Sequence, residues 1–228
     1  MKLDGQFIEC GVFRGGLSFL LAMMLRDSKS TKKVHLCDTF YGLPNPDRDF
    51  DKSYVQGGMA CDRSEVEGSI RSLGIHNQCV IHEGLFADTF ENLHGLDKVS
   101  FAHIDCDLYH GTKDCLEYLF PRLSYGAAVV IDDYYDESHG VMTALNEFAE
   151  SNNIVIHLST YGQAYFIKGE QALPSSKVTI GNHSVYMVTT SIVQDHAYLP
   201  LLERLLNFHE TRINRLRNFI SFCRREHV

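Results

Sequence analysis

The sequence predicts an α/β protein: a mostly parallel sheet of seven strands, helices on both faces, and a C-terminal helical extension. Three observations predict it. Short apolar runs alternate with helix-length amphipathic stretches from Phe7 to Lys168. Those runs end in glycine or acidic residues, which an open sheet of this kind gathers on one rim at the carboxyl ends of its strands. After Gly169 the pattern changes to a hairpin-like pair of runs and one long amphipathic stretch.

In chain order, Phe7 to Cys10 reads as a strand running into Gly11, Gly15 and Gly16, with a helix over roughly Leu17 to Arg26. Val34 to Cys37 is the next strand and ends at Asp38. A long polar loop with Pro44 and Pro46 spans Gly42 to about Asp62. A helix near Glu65 to Leu73 leads to the strand Cys79 to His82. Phe86 to Leu93 reads as helical, Val99 to Ile104 as a strand and Leu108 to Leu119 as a helix. Ala127 to Ile131 is a strand ending at Asp132 and Asp133. Val141 to Glu150 is helical, and the strands Ile154 to Leu158 and Gln163 to Lys168 complete the set. This divides the chain into a domain over 1–169 and an extension over 170–228. Within the extension, Lys177 to Ile180 and Val185 to Thr189 predict a hairpin about Gly181 and Asn182. Ala197 to Arg225 predicts an amphipathic helix that packs on its own domain or on a second copy, making a homo-oligomer.

Composition narrows the function. A net charge of −8 over 228 residues argues against a nucleic-acid partner, because phosphate contacts supply most of that affinity. The segment from Glu203 onward is the exception, with six arginines against three glutamates, and reads as a solvated, partly ion-paired helix face. The longest apolar run, Ser18 to Leu25, is too short to span a bilayer, and Met1 to Gly5 lacks the apolar core of a signal peptide. The seven cysteines are scattered, with no C-x-x-C pair, so reduced thiols and a cytoplasmic setting are expected.

Three constellations carry chemistry. The first is Glu9-Cys10-Gly11-Val12-Phe13-Arg14-Gly15-Gly16, where glycines between a strand and a helix let a ligand approach the backbone. Its G-x-x-x-G-G spacing is not the dinucleotide fingerprint, and the acidic residue before the first glycine suits a ligand carrying an ammonium group. The second is Asp38, placed to accept the hydroxyls of a ribose or to anchor a loop. The third is Asp105-Cys106-Asp107 with Asp132-Asp133. These carboxylates, at the ends of two neighbouring strands, would raise one another's pKa values unless a cation sat between them. Oxygen ligands favour Mg²⁺, Mn²⁺ or Ca²⁺. The D-x-D alone is also compatible with a metal-dependent glycosyl or phosphoryl transferase, and the whole set with a non-catalytic binding protein.

The stretches ECGVFRGG (Glu9 to Gly16), DTFYGLPNPD (Asp38 to Asp47), GLFADTF (Gly84 to Phe90), IDCDLYHGT (Ile104 to Thr112), LFPRLSYGAAVVIDDY (Leu119 to Tyr134) and HGVMTALNEF (His139 to Phe148) resemble, in order, those of the macrocin O-methyltransferase family. That family uses S-adenosylmethionine and a divalent cation to methylate sugar hydroxyls of natural products. The resemblance implies a Rossmann-like class I methyltransferase fold. It implies that Glu9, Gly11, Arg14, Gly15 and Gly16 hold the methionine end of the cofactor and that Asp38 and Phe40 lie at its ribose. Gly84, Phe86 and Asp88 would lie beside the adenine. Asp105, which also borders the cofactor, would bind the metal with Asp132 and Asp133. Asp107 would be the general base, with His139 or His110 as substitutes. The acceptor that the resemblance implies is a small molecule with neighbouring hydroxyls, a sugar. Members of the family usually carry a helical segment before the glycine-rich strand. Here that strand begins near residue 6, and the C-terminal extension is expected to supply the missing cover or an oligomer interface.

Overall fold

The computed structural model describes residues 3–135, 139–159 and 162–170, and the backbone of two further strands, 177–180 and 183–186. Its elements are β1 (Gln6–Cys10), α1 (Gly16–Asp27), β2 (Val34–Asp38), α2 (Arg63–Ser72), β3 (Cys79–Glu83), α3 (Phe86–Thr89), β4 (Val99–Ile104), α4 (Tyr109–Leu119), β5 (Leu123–Ile131), α5 (Gly140–Asn152), β6 (His157–Leu158) and β7 (Ala164–Ile167). They form one seven-stranded sheet in the order β3-β2-β1-β4-β5-β7-β6. β1 to β5 are mutually parallel, and β7 runs antiparallel between β5 and β6. The strand order reverses between β1 and β4, which puts the crevice for a ligand above those two strands.

Burial on both faces explains the near-continuous apolar strands. On one face Phe7, Leu36, Phe101, Ala128 and Val130 pack against Leu17, Leu21 and Leu25 of α1 and Val66 and Ile70 of α2. On the other, Ile8, Ala102, Ile104, Val129 and Ile131 pack against Cys115, Leu116 and Leu119 of α4 and Val141 and Leu145 of α5. Each helix presents a stripe at three- and four-residue spacing, as in Leu17, Leu21 and Leu25. α2 is capped by Asp62, whose carboxylate accepts the Ser64 N–H at 2.7 Å.

The strands and helices fall where the periodicity predicts them, with four differences. β5 begins at Leu123 rather than Ala127, because Leu123 pairs with Val99 ahead of a register shift in β4. β6 shrinks to two residues, since only His157 and Leu158 pair with β7. The helical run from Phe86 splits into the short α3 and a 3₁₀ turn, Phe90–Asn92. The hairpin forms from β8 (Lys177–Ile180) and β9 (His183–Tyr186), with Ile180 paired to His183, so its second strand starts earlier than Val185. The amphipathic helix expected over Ala197 to Arg225 lies outside the described residues. No helix of the described residues is long and apolar enough to cross a membrane, and their six cysteines are free thiols.

The chain leaves the sheet at the end opposite the rim. β7 runs down beside β5, the Lys168 N–H donates to the Ala127 carbonyl at 2.8 Å, and the Tyr125 hydroxyl donates to the Gly169 carbonyl at 3.0 Å.

β2 and β3 carry a stacked histidine pair, His35 Nδ1 lying 2.9 Å from His82 Nε2 with the rings nearly parallel. Burial, followed by the neighbouring His82 and Lys33, holds His35 down to about 4, and burial lowers His82 as well. The folded state therefore refuses a proton that the unfolded chain accepts near pH 6.5. The stability contributed is complete above that value and is lost as pH falls toward 4. Between about pH 7.5 and about pH 5, urea unfolding should show the wild type losing about 2 kcal/mol more than a His35→Leu variant. Parallel pH profiles for the two proteins would reject this account.

Candidate functional site

Strand alternation builds the site. Glu9 of β1 pairs in register with His103 of β4, and His103 with Val130 of β5. Val130 belongs to the α1 face, so Glu9 and His103 share that face. Asp105 and Asp132, each two residues further along, continue it past the strand ends. One ligand atom from each of His103, Asp105 and Asp132 lies within 4.8 Å of the others. The strand ends are held by the sheet itself: the Asp105 N–H donates to the Cys10 carbonyl at 2.7 Å and the Asp132 N–H to the Ile104 carbonyl at 2.9 Å.

Electrostatic crowding follows. Burial raises the Asp105 carboxyl well above its usual range. His103 opposes this, while the charges of Asp132, Asp133 and Asp107 push it further up. Burial works against a charged His103, yet Glu9, Asp105 and Asp132 outweigh it and push the ring up to about 9. The arrangement is a cluster of acids around one buried imidazole. Its donor set, carboxylates with a buried imidazole that has no hydrogen-bond partner, fits a divalent ion. Asp107 and Asp133 both adopt left-handed backbone conformations, φ 62° and 54°. Such strain in residues with side chains is retained mainly where function needs it.

Beside this cluster lies the glycine turn. Gly11 has φ 88°, and a Cβ there would fall 1.7 Å from the Asp105 carbonyl oxygen, so β1 and β4 touch backbone to backbone at the switch point. Gly15, φ 83°, precedes α1, and Gly16 opens the helix N-terminus to the crevice. Arg14 is exposed, its guanidinium 5.3 Å from the Phe13 ring centroid. Asp38 holds the turn in place: one carboxylate oxygen accepts the Val12 and Phe13 N–H groups at 2.7 and 2.8 Å, and the other accepts the Phe40 N–H at 2.8 Å. The anchoring reading of Asp38 is thus visible in the backbone, and free lone pairs remain for a ribose.

Other expected site residues fall as follows. Glu9 is only 3% exposed and turns inward. The Ser18 hydroxyl of α1 donates to one oxygen, and the other lies 3.3 Å from His103 Nδ1. Phe40 is buried in the core under α1. Gly84 donates its N–H to the Asp38 carbonyl at 3.0 Å, which brings β3's end beside β2's. Phe86 is half-buried and stacked on Phe90, and Asp88 is exposed on α3. His110 is held 3.0 Å from Asp47. His139 is exposed at the start of α5, and it is not in the His103–Asp105–Asp132 cluster.

Two residues escaped the sequence reading. His103 carried a usable signal, since it stands two before Asp105 on one strand face. Asp51 carried none. It is 1% exposed and accepts the Tyr109 N–H at the start of α4 (2.9 Å) and the Asp47 N–H (3.0 Å), while Phe50 stacks on Tyr109 at 4.0 Å. A buried carboxylate at a helix N-terminus is favourable. Asp51 thereby clasps the long loop after β2 onto the helix that follows Asp105 and Asp107.

Residues 1–164 match the macrocin O-methyltransferase (TylF) family. Two curated relatives are a tetracenomycin-C rhamnosyl 4'-O-methyltransferase of Streptomyces olivaceus and the demethyldecarbamoylnovobiocin O-methyltransferase of Streptomyces niveus. The first is 33% identical over 141 residues and the second 30% over 142. Each match covers 58% of this chain and 54% of the relative, so the chain spans about half their length. The solved structure of the O-methyltransferase NovP superposes with a TM-score of 0.63 at 26% identity, over 74% of this chain and 73% of that one. The calicheamicin methyltransferase CalS11, 21% identical, shares the fold at a TM-score of 0.63 over 73% of each chain. With the sheet order, the glycine turn and the acidic rim in agreement, this chain belongs to the macrocin O-methyltransferase family.

Proposed function

We propose that this chain is a cation-dependent O-methyltransferase that moves a methyl group from S-adenosylmethionine to a hydroxyl of a sugar or glycosylated natural product. The observation that carries the reading is the meeting, at one switch point, of a glycine turn, a ribose-competent Asp38 and the Asp105–Asp132 cluster. The names of the relatives supply the chemical class.

In this reading the start of α1, at Gly15 and Gly16, and the exposed Arg14 bind the carboxylate of the methionine moiety. Gly11 leaves the backbone bare for its approach. Glu9 supports the turn from beneath, through Ser18 and His103, in place of the direct contact with the cofactor ammonium that the sequence suggests. Asp38 binds the ribose while holding the turn, and Gly84, Phe86 and Asp88 border the adenine. Asp105, Asp132 and Asp133 would hold a divalent cation, whose chemistry there would be to make an acceptor hydroxyl more acidic. Asp107, held in a left-handed backbone conformation after β4, accepts the proton of that hydroxyl as the C–O bond forms and the S–CH3 bond of the cofactor breaks, leaving S-adenosylhomocysteine. Asp51 keeps the loop after β2 closed on this edge and limits water.

Calorimetric titration of S-adenosylhomocysteine, with Mg²⁺ and with a chelator, tests the cofactor assignment. Binding in both conditions is expected, followed by methyl transfer to a vicinal-diol sugar only when the cation is present. No binding in either condition would overturn the proposal, and transfer undiminished by the chelator would overturn its cation half.

A further inference from the structure

We infer that His103 is a nitrogen ligand of the cation site, making it a mixed imidazole–carboxylate centre that prefers a transition-metal ion such as Mn²⁺ or Co²⁺ to Mg²⁺. This rests on the proposed cation dependence and deepens it.

Three features carry it. First, His103 offers a ligand atom within 4.8 Å of both Asp105 and Asp132, in the one group of at least three potential metal ligands so placed among the described residues. Second, the ring is 2% exposed, and neither nitrogen has a hydrogen-bond partner. Leaving a buried polar group unpaired is costly. The cost is relieved if a nitrogen binds an ion. Third, the surroundings already resemble the outer shell of a metal-bound histidine. Glu9 Oε1 lies 3.3 Å from Nδ1, outside hydrogen-bond geometry but on the side from which a carboxylate orients an imidazole. The Ser18 hydroxyl steadies Glu9 in turn. The ion takes the Nε2 lone pair by displacing to solvent the proton that Glu9, Asp105 and Asp132 otherwise favour on the ring, while Nδ1–H stays facing Glu9.

Charge and softness agree. Once its proton is displaced, the imidazole adds a nitrogen donor and no charge to a carboxylate site that favours a divalent cation. Imidazole nitrogen suits later first-row metals, whereas Mg²⁺ favours an all-oxygen shell.

The test uses the full chain loaded with Mn²⁺, once with natural-abundance histidine and once with ¹⁵N-histidine, read by pulsed electron paramagnetic resonance. The expected result is nuclear modulation from a directly bound imidazole nitrogen, which changes with the isotope and disappears in His103→Asn. Calorimetry on the same proteins should show Co²⁺ affinity falling about tenfold or more in the variant, with a smaller change for Mg²⁺. The isotope comparison on the wild type does not depend on the variant folding. Bound Mn²⁺ without nitrogen modulation would overturn the assignment of His103 and leave the cation-dependent reading standing. Modulation persisting in a folded His103→Asn would assign the nitrogen elsewhere and also overturn it. Failure to bind Mn²⁺, Co²⁺ or Mg²⁺ would overturn both.

Discussion

Asp132→Asn should lower methyl transfer by about a thousandfold, roughly 4 kcal/mol in the barrier, and remove its dependence on added cation. The substitution is isosteric. The Asp132 N–H still donates to the Ile104 carbonyl, and Oδ1 can still accept the Asp133 N–H, which it does at 3.1 Å. What changes is the electrostatics: a neutral amide replaces one of the three carboxylates, with Asp133 and Asp107, that crowd Asp105. S-adenosylhomocysteine should bind with little change, because Asp132 lies on β5 while the glycine turn lies on the far side of β4. Parallel calorimetry and rate measurements on the variant decide it. Loss of inhibitor binding together with activity would mean that Asp132 serves the cofactor or the fold.

Gly11→Ala should destabilise the domain by about 3 kcal/mol or more and abolish cofactor binding. Its methyl group would stand 1.7 Å from the Asp105 carbonyl oxygen and 2.5 Å from the carbonyl carbon. Both atoms are backbone, so no rotamer change relieves the overlap, and β1 must part from β4 at the switch point. Gly57→Ala is the control. Its φ of 78° imposes a similar conformational penalty, but nothing lies within 4 Å of the added carbon. Thermal unfolding should therefore show a fall of several degrees at most for Gly57→Ala and roughly 10 °C for Gly11→Ala. Equal shifts would mean that backbone conformation, rather than the contact between strands, sets the cost.

Much of this was legible before any coordinates. Val34 to Cys37 and Val99 to Ile104 read as strands because burial on both faces demands continuous apolar residues, and the acids that interrupt them mark where the sheet ends. The rim carboxylates were visible for the same reason. What stayed hidden depends on contacts distant in sequence. Asp51 looks like its neighbours Asp47 and Asp49, and only the N-terminus of α4, 58 residues further on, makes it structural. The inward turn of Glu9 depends on Ser18 from α1 and His103 from β4. The early start of β5 depends on Val99, with which Leu123 pairs. His103 is the exception, since its place two residues before Asp105 on one strand face is readable from the sequence alone.

The reversed direction of β7 has a consequence for how the polypeptide is shared between tasks. A seventh parallel strand would have delivered the downstream chain straight onto the acidic rim. By doubling back, β7 brings residue 170 to the foot of the sheet, where Glu170 pairs with His157 at 2.8 Å. From there the carboxylate of Asp132 is about six strand residues away, roughly 20 Å at 3.3 Å per residue. Strand polarity thus acts as a partition. The strand ends that gather the acids and the end at which β7 finishes lie on opposite edges of the sheet.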